Sequence, residues 1–288
     1  MKQTRLNTIS ELFKEYQKRS IHQGNLLDLI DETEIAERVY NSNAIENSTL
    51  SLPETEKILL HINVGRCISL REIFEAKNLA LVYGYVKKTA SQKPLTTDII
   101  LLLHKMLLTN IRDEVAGRFR EKNEMVRVGY HIGAPPQFIT QRIQEGITEL
   151  TANLTDPYLY RAACFHAEFE NIHPFVDGNG RIGRVINNYL LIRTGFPPII
   201  VRNKEKDDYY NALRAYDESH DIKPISQVFE LAILESLHKR LAYLNHQRII
   251  PLTQYARKKS QSIHALLNAA RRQTIRAFRE KGVWKIGA

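Results

Sequence analysis

The sequence predicts an all-α protein with one short β-hairpin flap and a small C-terminal module. Three observations carry that prediction. Apolar residues recur at spacings of three and four along most of the chain. One segment, "EMVRVGYHIG" at 124–133, instead mixes β-branched residues, glycines and alternation. The last stretch, from Arg248 to Ala288, carries ten Lys or Arg and a single acid, Glu280.

Taken in order, the helical spacing covers Glu11–Lys18, Glu32–Tyr40, Pro53–His61, Ile73–Lys87 and Thr97–Leu108. It resumes over Arg142–Leu150, Tyr158–Ile172, Arg184–Arg193, Asp207–Ser219 and Pro224–Asn245. Ser51-Leu-Pro-Glu54 reads as a capping box with proline in the first turn, so a new helix starts after a break near Asn47–Leu50. The flap falls at about 118–133 and ends before Pro135-Pro136. The organisation expected is an N-terminal helical region at 1–95, a core at 96–247 and a tail module at 248–288.

The 288 residues are 43% hydrophobic, enough for an ordinary core. The first twenty residues mix charges with no apolar run, and no stretch has the length of a membrane span, so the expectation is a cytoplasmic protein without membrane contact. Cys67 and Cys164 form no CxxC pair and read as reduced thiols. The net charge of +9 belongs entirely to the tail: the rest of the chain has 31 basic and 31 acidic residues. A nucleic-acid partner is therefore expected for the tail alone.

The informative stretch is "HPFVDGNGRIGR", His173 to Arg184. The apolar stripe Ala162, Phe165, Phe169, Ile172 buries the preceding helix, which stops at His173 because Pro174 disfavours helical geometry there. Phe175 then plugs the core, and Asp177-Gly-Asn-Gly180 turns into a helix that begins near Arg181. Glycines let backbone approach a ligand, and the N–H groups of a helix N-terminus suit phosphate. Arg181 and Arg184 lie on one helical face and add forked phosphate contacts. Asp177 is an acid beside those phosphates, which fits a Mg²⁺ held by one carboxylate and phosphate oxygens. His173 is the remaining titratable group, suited to a general base. Such an assembly reads as a magnesium-nucleotide cradle with one base, a site for nucleotidyl or phosphoryl transfer. A metallohydrolase reading of "HAEFENIH" is weaker: His166 and His173 are seven apart, the pattern is not HExxH, and His166 sits on an apolar helix.

The stretch resembles the Fic family motif at every fixed position. That resemblance implies a Fic-type helical bundle and transfer of AMP from ATP to a Ser, Thr or Tyr hydroxyl of a target protein. By it, His173 would deprotonate the hydroxyl and Asp177 would hold Mg²⁺. Gly178, Asn179 and Gly180 would hold the α-phosphate region, and Arg181 and Arg184 the β- and γ-phosphates. "GRFR" at 117–120 with Val126, Val128 and Pro135-Pro136 resembles the family's flap, so Arg118, Val126 and Val128 are expected to dock a target segment by adding backbone hydrogen bonds to it. Upstream, Ser42-Asn-Ala-Ile-Glu46-Asn47 resembles the family's inhibitory helix, about 42–47, whose glutamate pairs with the second motif arginine, here Arg184. The same glutamate helps some members remove AMP again. Read without the resemblance, Ser42–Asn47 is a polar surface turn.

In the tail, Leu252–Lys259 and "SQSIHALLNAARRQ" read as two helices and "TIRAFREKGVWKI" as a wing. This is similar to a small winged helix-turn-helix of the excisionase type, with Arg271, Arg272 and Lys285 expected on DNA. The competing overall readings are a DNA-binding transcriptional regulator with an inactive or accessory Fic domain, and the toxin of a two-component module. The filled motif argues against the first and the internal Ser42–Glu46 element against the second. A homo-oligomer is compatible with all of them.

Overall fold

The structure, a computed structural model, describes residues 2–128, 131–152 and 157–288, the side chains of residues 2–4 and 128 excepted. Helices dominate, as the spacing predicts. The N-terminal half comprises α1 (Lys2–Ser20), α2 (Gly24–Ile45), α3 (Leu52–Leu59), α4 (Leu70–Thr89) and α5 (Thr97–Leu108). A two-stranded ribbon follows, β1 (Arg127–Val128) antiparallel to β2 (His131–Ile132), with Val128 opposite His131. Next come α6 (Pro136–Ala152), α7 (Tyr158–Ile172), α8 (Asn179–Arg193), α9 (Lys206–Ser219) and α10 (Lys223–Leu244). The chain closes with β3 (Ile249–Pro251), α11 (Leu252–Lys258), α12 (Ile263–Arg271), β4 (Ala277–Glu280) and β5 (Val283–Gly287). None of the described helices is long and apolar enough to cross a membrane.

The helix ends explain where periodicity fell short. Ser51 accepts from the Glu54 N–H while the Glu54 carboxylate accepts from the Ser51 N–H, the reciprocal capping expected of α3. α6 starts at Pro136, a position that needs no N–H, well before the periodic Arg142–Leu150. α2 runs on past the expected Tyr40 to Ile45, and Asn47 ends it with a left-handed backbone (φ 67°). Ser42 and Asn43 are therefore buried helical residues, and the surface-turn reading of this segment is overturned.

The chain divides into two compact units. The larger comprises Ile35–Gly195 and Ile200–Val228. Its core gathers α4, α5, α7 and α8 around Leu79, Leu103, Leu107, Phe169, Ile186 and Tyr189. α7 packs on α6, α8 and α9, and so becomes the spine on which the motif loop hangs. Phe175 has no exposed surface and stacks on His104, with ring centroids 3.6 Å apart and planes within 7°.

The smaller unit comprises Met1–Glu34, Phe196–Ile199 and Phe229–Ala288. The basic tail belongs to it, and ion pairs tie the tail to the preceding helices of the unit. Arg279 grips the Glu235 carboxylate of α10 (2.6 Å), and Lys239 sits between Glu34 and Glu280. Arg240, fully buried, is held by Asp31 (2.6 Å) and Glu34 (2.9 Å). β3, β5 and β4 form an antiparallel sheet over Leu252, Ala256, Leu266 and Ala270. Arg271 and Arg272 are exposed, whereas Lys285 is engaged by Glu280 at 2.6 Å.

Phe175→Ala should cost about 3–5 kcal/mol, the usual range for removing a buried ring. It empties the space between His104 and Phe169. Thermal or urea unfolding would measure the loss.

Candidate active site

Everything named in this section lies in the larger unit. α7 ends at His173, whose backbone is left-handed (φ 50°) while its N–H still closes the last helical bond to Phe169. A non-glycine residue in this region stores strain unless its surroundings fix it. Arg120 does so: its guanidinium donates to the carbonyls of His173 (2.8 Å), Ala134 (2.7 Å) and Glu124 (2.8 Å). Its own N–H reaches the Pro174 carbonyl, and the Ala134 N–H reaches that of Ile172. The flap and the motif are thus sewn together by one arginine.

The His173 imidazole uses Nδ1–H toward the Glu170 carbonyl at 3.3 Å, which leaves the Nε2 lone pair available. Burial brings its pKa down to about 4. The ring is therefore neutral at physiological pH and ready to accept a proton.

Beyond Phe175, the loop is locked by Asn179. Its Oδ1 accepts from the Phe175 N–H and its Nδ2 donates to the Phe175 carbonyl, both at 2.8 Å. The side chain expected to hold phosphate is thus turned onto the loop's own backbone. Gly178 caps α8 with a left-handed backbone (φ 83°), and a Cβ there would press to 3.1 Å on Leu107. α8 carries no side-chain cap. Its first N–H groups are the anion-binding kind.

His104 fastens the turn from the other side. The Gly117 N–H donates to its Nδ1 and its Nε2–H donates to the Asp177 carbonyl, each at 3.0 Å. The Asp177 carboxylate meets Arg181 (3.0 Å) and Arg71 (2.9 Å). Burial opposes its ionisation, but the two guanidinia prevail and hold its pKa below the ordinary value. Among the described residues no three His, Cys, Asp or Glu cluster as a metal cage. A single partly exposed carboxylate beside an anion cradle instead fits a cation shared with phosphate oxygens.

Arg184 is 4% exposed and meets the end of α2. Its Nε donates to Ser42 Oγ (3.0 Å), and its Nη2 donates to the Ser42 carbonyl and to Glu46 Oε1, both at 2.8 Å. Its Nη1 has no hydrogen-bond partner and lies on the side of Gly180, where a Cβ would approach it to 3.1 Å. The same Cβ would collide with Glu46 Oε1. Glycine at 180 therefore admits both the glutamate and the arginine to the turn.

The flap residues diverge. Arg118 is committed to Glu124 by two bonds (2.7 and 2.8 Å). Val126 keeps the strand register by accepting the Gly133 N–H, and the Val128 side chain lies outside the described set. His166 is a core histidine: its Nδ1–H donates to the Gly183 carbonyl and Tyr209 O–H donates to its Nε2.

Sequence reasoning missed Arg71, Glu75 and His104, and gave no role to Arg120 of "GRFR" or to Glu170 of "HAEFENIH". Glu170 lies one turn before the motif. Its Oε1 is enclosed without a partner, against Gly183, where no Cβ would fit. Burial raises its pKa to about 8, with Glu46 and Asp217 adding to the rise and Arg184 opposing it. A carboxyl that is neutral when folded contributes stability fully present below its unfolded pKa and lost as pH climbs through about 8. Glu170→Gln should therefore flatten the fall in Tm between pH 5 and 8, read by thermal unfolding across that range.

The Fic/DOC family model matches residues 94–191, which include the whole motif. The protein adenylyltransferase Fic of Drosophila mojavensis is 32% identical over 210 residues, 71% of this chain and 41% of that relative. The chain thus spans about two fifths of the length of the curated relatives it matches. In fold, it is similar to a Fic domain containing signaling protein from Bacteroides thetaiotaomicron (TM-score 0.74, 22% identity, 85% of this chain and 99% of that one). It is also similar to Fic-1 from C. elegans (TM-score 0.70, 25% identity, 83% and 72%). With the motif filled, the helical fold shared and the family model seated on the same residues, the chain belongs to the Fic/DOC family.

Proposed function

We propose that the chain is a protein adenylyltransferase that moves AMP from ATP to a hydroxyl side chain of a target protein, and that α2 restrains it. The observation that carries this reading is the pairing of a neutral His173 with an arginine cradle whose innermost member is held by Glu46. In the transfer, the target hydroxyl oxygen attacks the α-phosphorus and its proton passes to His173 Nε2. The bond from the α-phosphorus to the β-bridging oxygen breaks, and pyrophosphate leaves. The α8 N-terminus and Arg181 stabilise the charge that builds on the phosphates. Mg²⁺ held by Asp177 would neutralise part of the triphosphate charge. A target strand laid along the flap ribbon would bring its hydroxyl to the base.

The restraint follows from competition. Glu46 occupies Arg184 and brings a negative charge, 35% exposed, to the place of a terminal phosphate. Phosphates displaced in this way lose in-line geometry, and positioning supplies much of such a barrier. The same carboxylate would orient a water for the return reaction, removal of AMP.

DNA contact by the tail is a second activity. It is supported by the two-helix arrangement of α11 and α12, the Ser262 cap on α12, and exposed His264, Asn268, Arg271 and Arg272.

Auto-AMPylation at saturating ATP tests the first reading. Glu46→Gly should raise the rate by roughly a hundredfold, the scale of restored alignment. His173→Ala in that background should abolish transfer while ATP still binds. The acid limb of the rate should lie below pH 6, because the base titrates at about 4. Near wild-type transfer by the His173 variant would end the general-base role. For the tail, Arg271→Ala with Arg272→Ala should weaken DNA binding and reduce its log–log salt slope by about two. An unchanged slope in a filter-binding or anisotropy titration would remove α12 from the contact.

A further inference from the structure

Four charged side chains beside the cradle close a ring. Arg71 Nε donates to Glu75 Oε1 at 3.0 Å, and Arg181 Nη1 approaches the same oxygen at 3.1 Å. Arg181 Nη2 meets Asp177 Oδ1 at 3.0 Å, and Arg71 Nη2 meets Asp177 Oδ2 at 2.9 Å. Charges alternate around the ring and cancel. The two cations are unlike. Arg181 is sealed in, at 4% exposure, whereas Arg71 stands on the outer face of α4 at 54%.

We infer that Arg71 is a further nucleotide-positioning residue: it neutralises Asp177 while the cradle is empty and moves to the triphosphate when Asp177 turns to a divalent cation. This rests on the adenylyl-transfer reading above. The physical case has three parts. Asp177 presents one guanidinium to each oxygen, so a dication approaching it meets two positive charges. One of them must yield, and only Arg71 has the solvent-side freedom to do so. Glu75 keeps the departing guanidinium on a short leash, because its bond to Arg71 Nε survives rotation of the Nη2 end. A freed guanidinium beside a polyphosphate is a forked anion ligand. It would add a third arginine to Arg181 and Arg184, on the side of the pyrophosphate that leaves.

The inference requires two effects of opposite sign. Without Arg71, a terminal phosphate loses a ligand, so ATP should bind more weakly. Without Arg71, Asp177 loses a competitor of the cation, so less Mg²⁺ should be needed. A merely structural ion pair would not produce that split. Arg71 is half exposed and caps nothing, so its replacement leaves the buried ring members paired with each other.

The test uses the full chain carrying Glu46→Gly, with Arg71, Arg71→Ala or Arg71→Lys. Calorimetry with a non-hydrolysable ATP analogue at saturating Mg²⁺, and with AMP, gives nucleotide affinity. A Mg²⁺ titration at saturating analogue gives the cation midpoint. The expected result for Arg71→Ala is about tenfold weaker binding of the ATP analogue, unchanged AMP affinity and a Mg²⁺ midpoint lowered several-fold, with Arg71→Lys between. Equal ATP affinity in the two proteins, or a Mg²⁺ midpoint that rises together with the loss of ATP affinity, overturns it. Failure of the Arg71-intact protein to bind the analogue or to transfer AMP would instead strike the adenylyl-transfer reading itself, so the two failures are distinguishable.

Discussion

A buried guanidinium cannot be left without an anion, and Arg184 is the point on which this site turns. Desolvating a charge without a partner costs several kcal/mol. α2 supplies the partner with the Ser42 hydroxyl, the Ser42 carbonyl and the Glu46 carboxylate. Much of the local design follows. Ser42 and Glu46 must stand one helical turn apart, so α2 must continue to Ile45 and the chain must turn away at once, as it does at Asn47. Gly180 must lack a side chain so that the carboxylate can enter. The anion that satisfies Arg184 in the resting protein and the anion it would meet in catalysis compete for one place. On the proposed reading, restraint would be a by-product of keeping a buried charge paired.

His173 is held in another way. His173 takes a backbone conformation that few side chains adopt, and Arg120 spreads the cost over carbonyls from three segments. Burial lowers the pKa of the imidazole, and the Glu170 carbonyl selects the tautomer. One turn of α7 thus sets the position, protonation state and orientation of the ring.

Much of this was legible in the chain. The helices appear wherever the three-and-four spacing runs, and α7 and α5 keep the predicted limits because a proline or a threonine cap marks them. The motif's turn and the helix that follows it were legible, and its histidine and arginines stand together as the spacing suggested. What stayed hidden is whatever is local only in space. Arg71 and Glu75 lie about a hundred residues from Asp177, and nothing in "LREIFEAKN" distinguishes a cradle wall from an exposed helix face. His104 reads as one polar residue in an apolar helix. Charge counting also reads only part of the tail. It saw an excess of cations but not that Glu235 on α10 answers Arg279. The role expected of Asn179 met the same limit: a short amide beside glycines reads equally as a ligand for phosphate or as a brace for the loop.

That brace has a thermodynamic side. An amide that returns both of its hydrogen-bonding groups to Phe175, under a ring clamped on His104, leaves the turn few conformations to lose. Ligands that order a loose loop surrender free energy to conformational entropy. Here the ordering is completed during folding of the chain. For the proposed nucleotide, a phosphate would meet a turn already ordered, and its capture would call for withdrawal of a carboxylate from Arg184 and not for assembly of a loop.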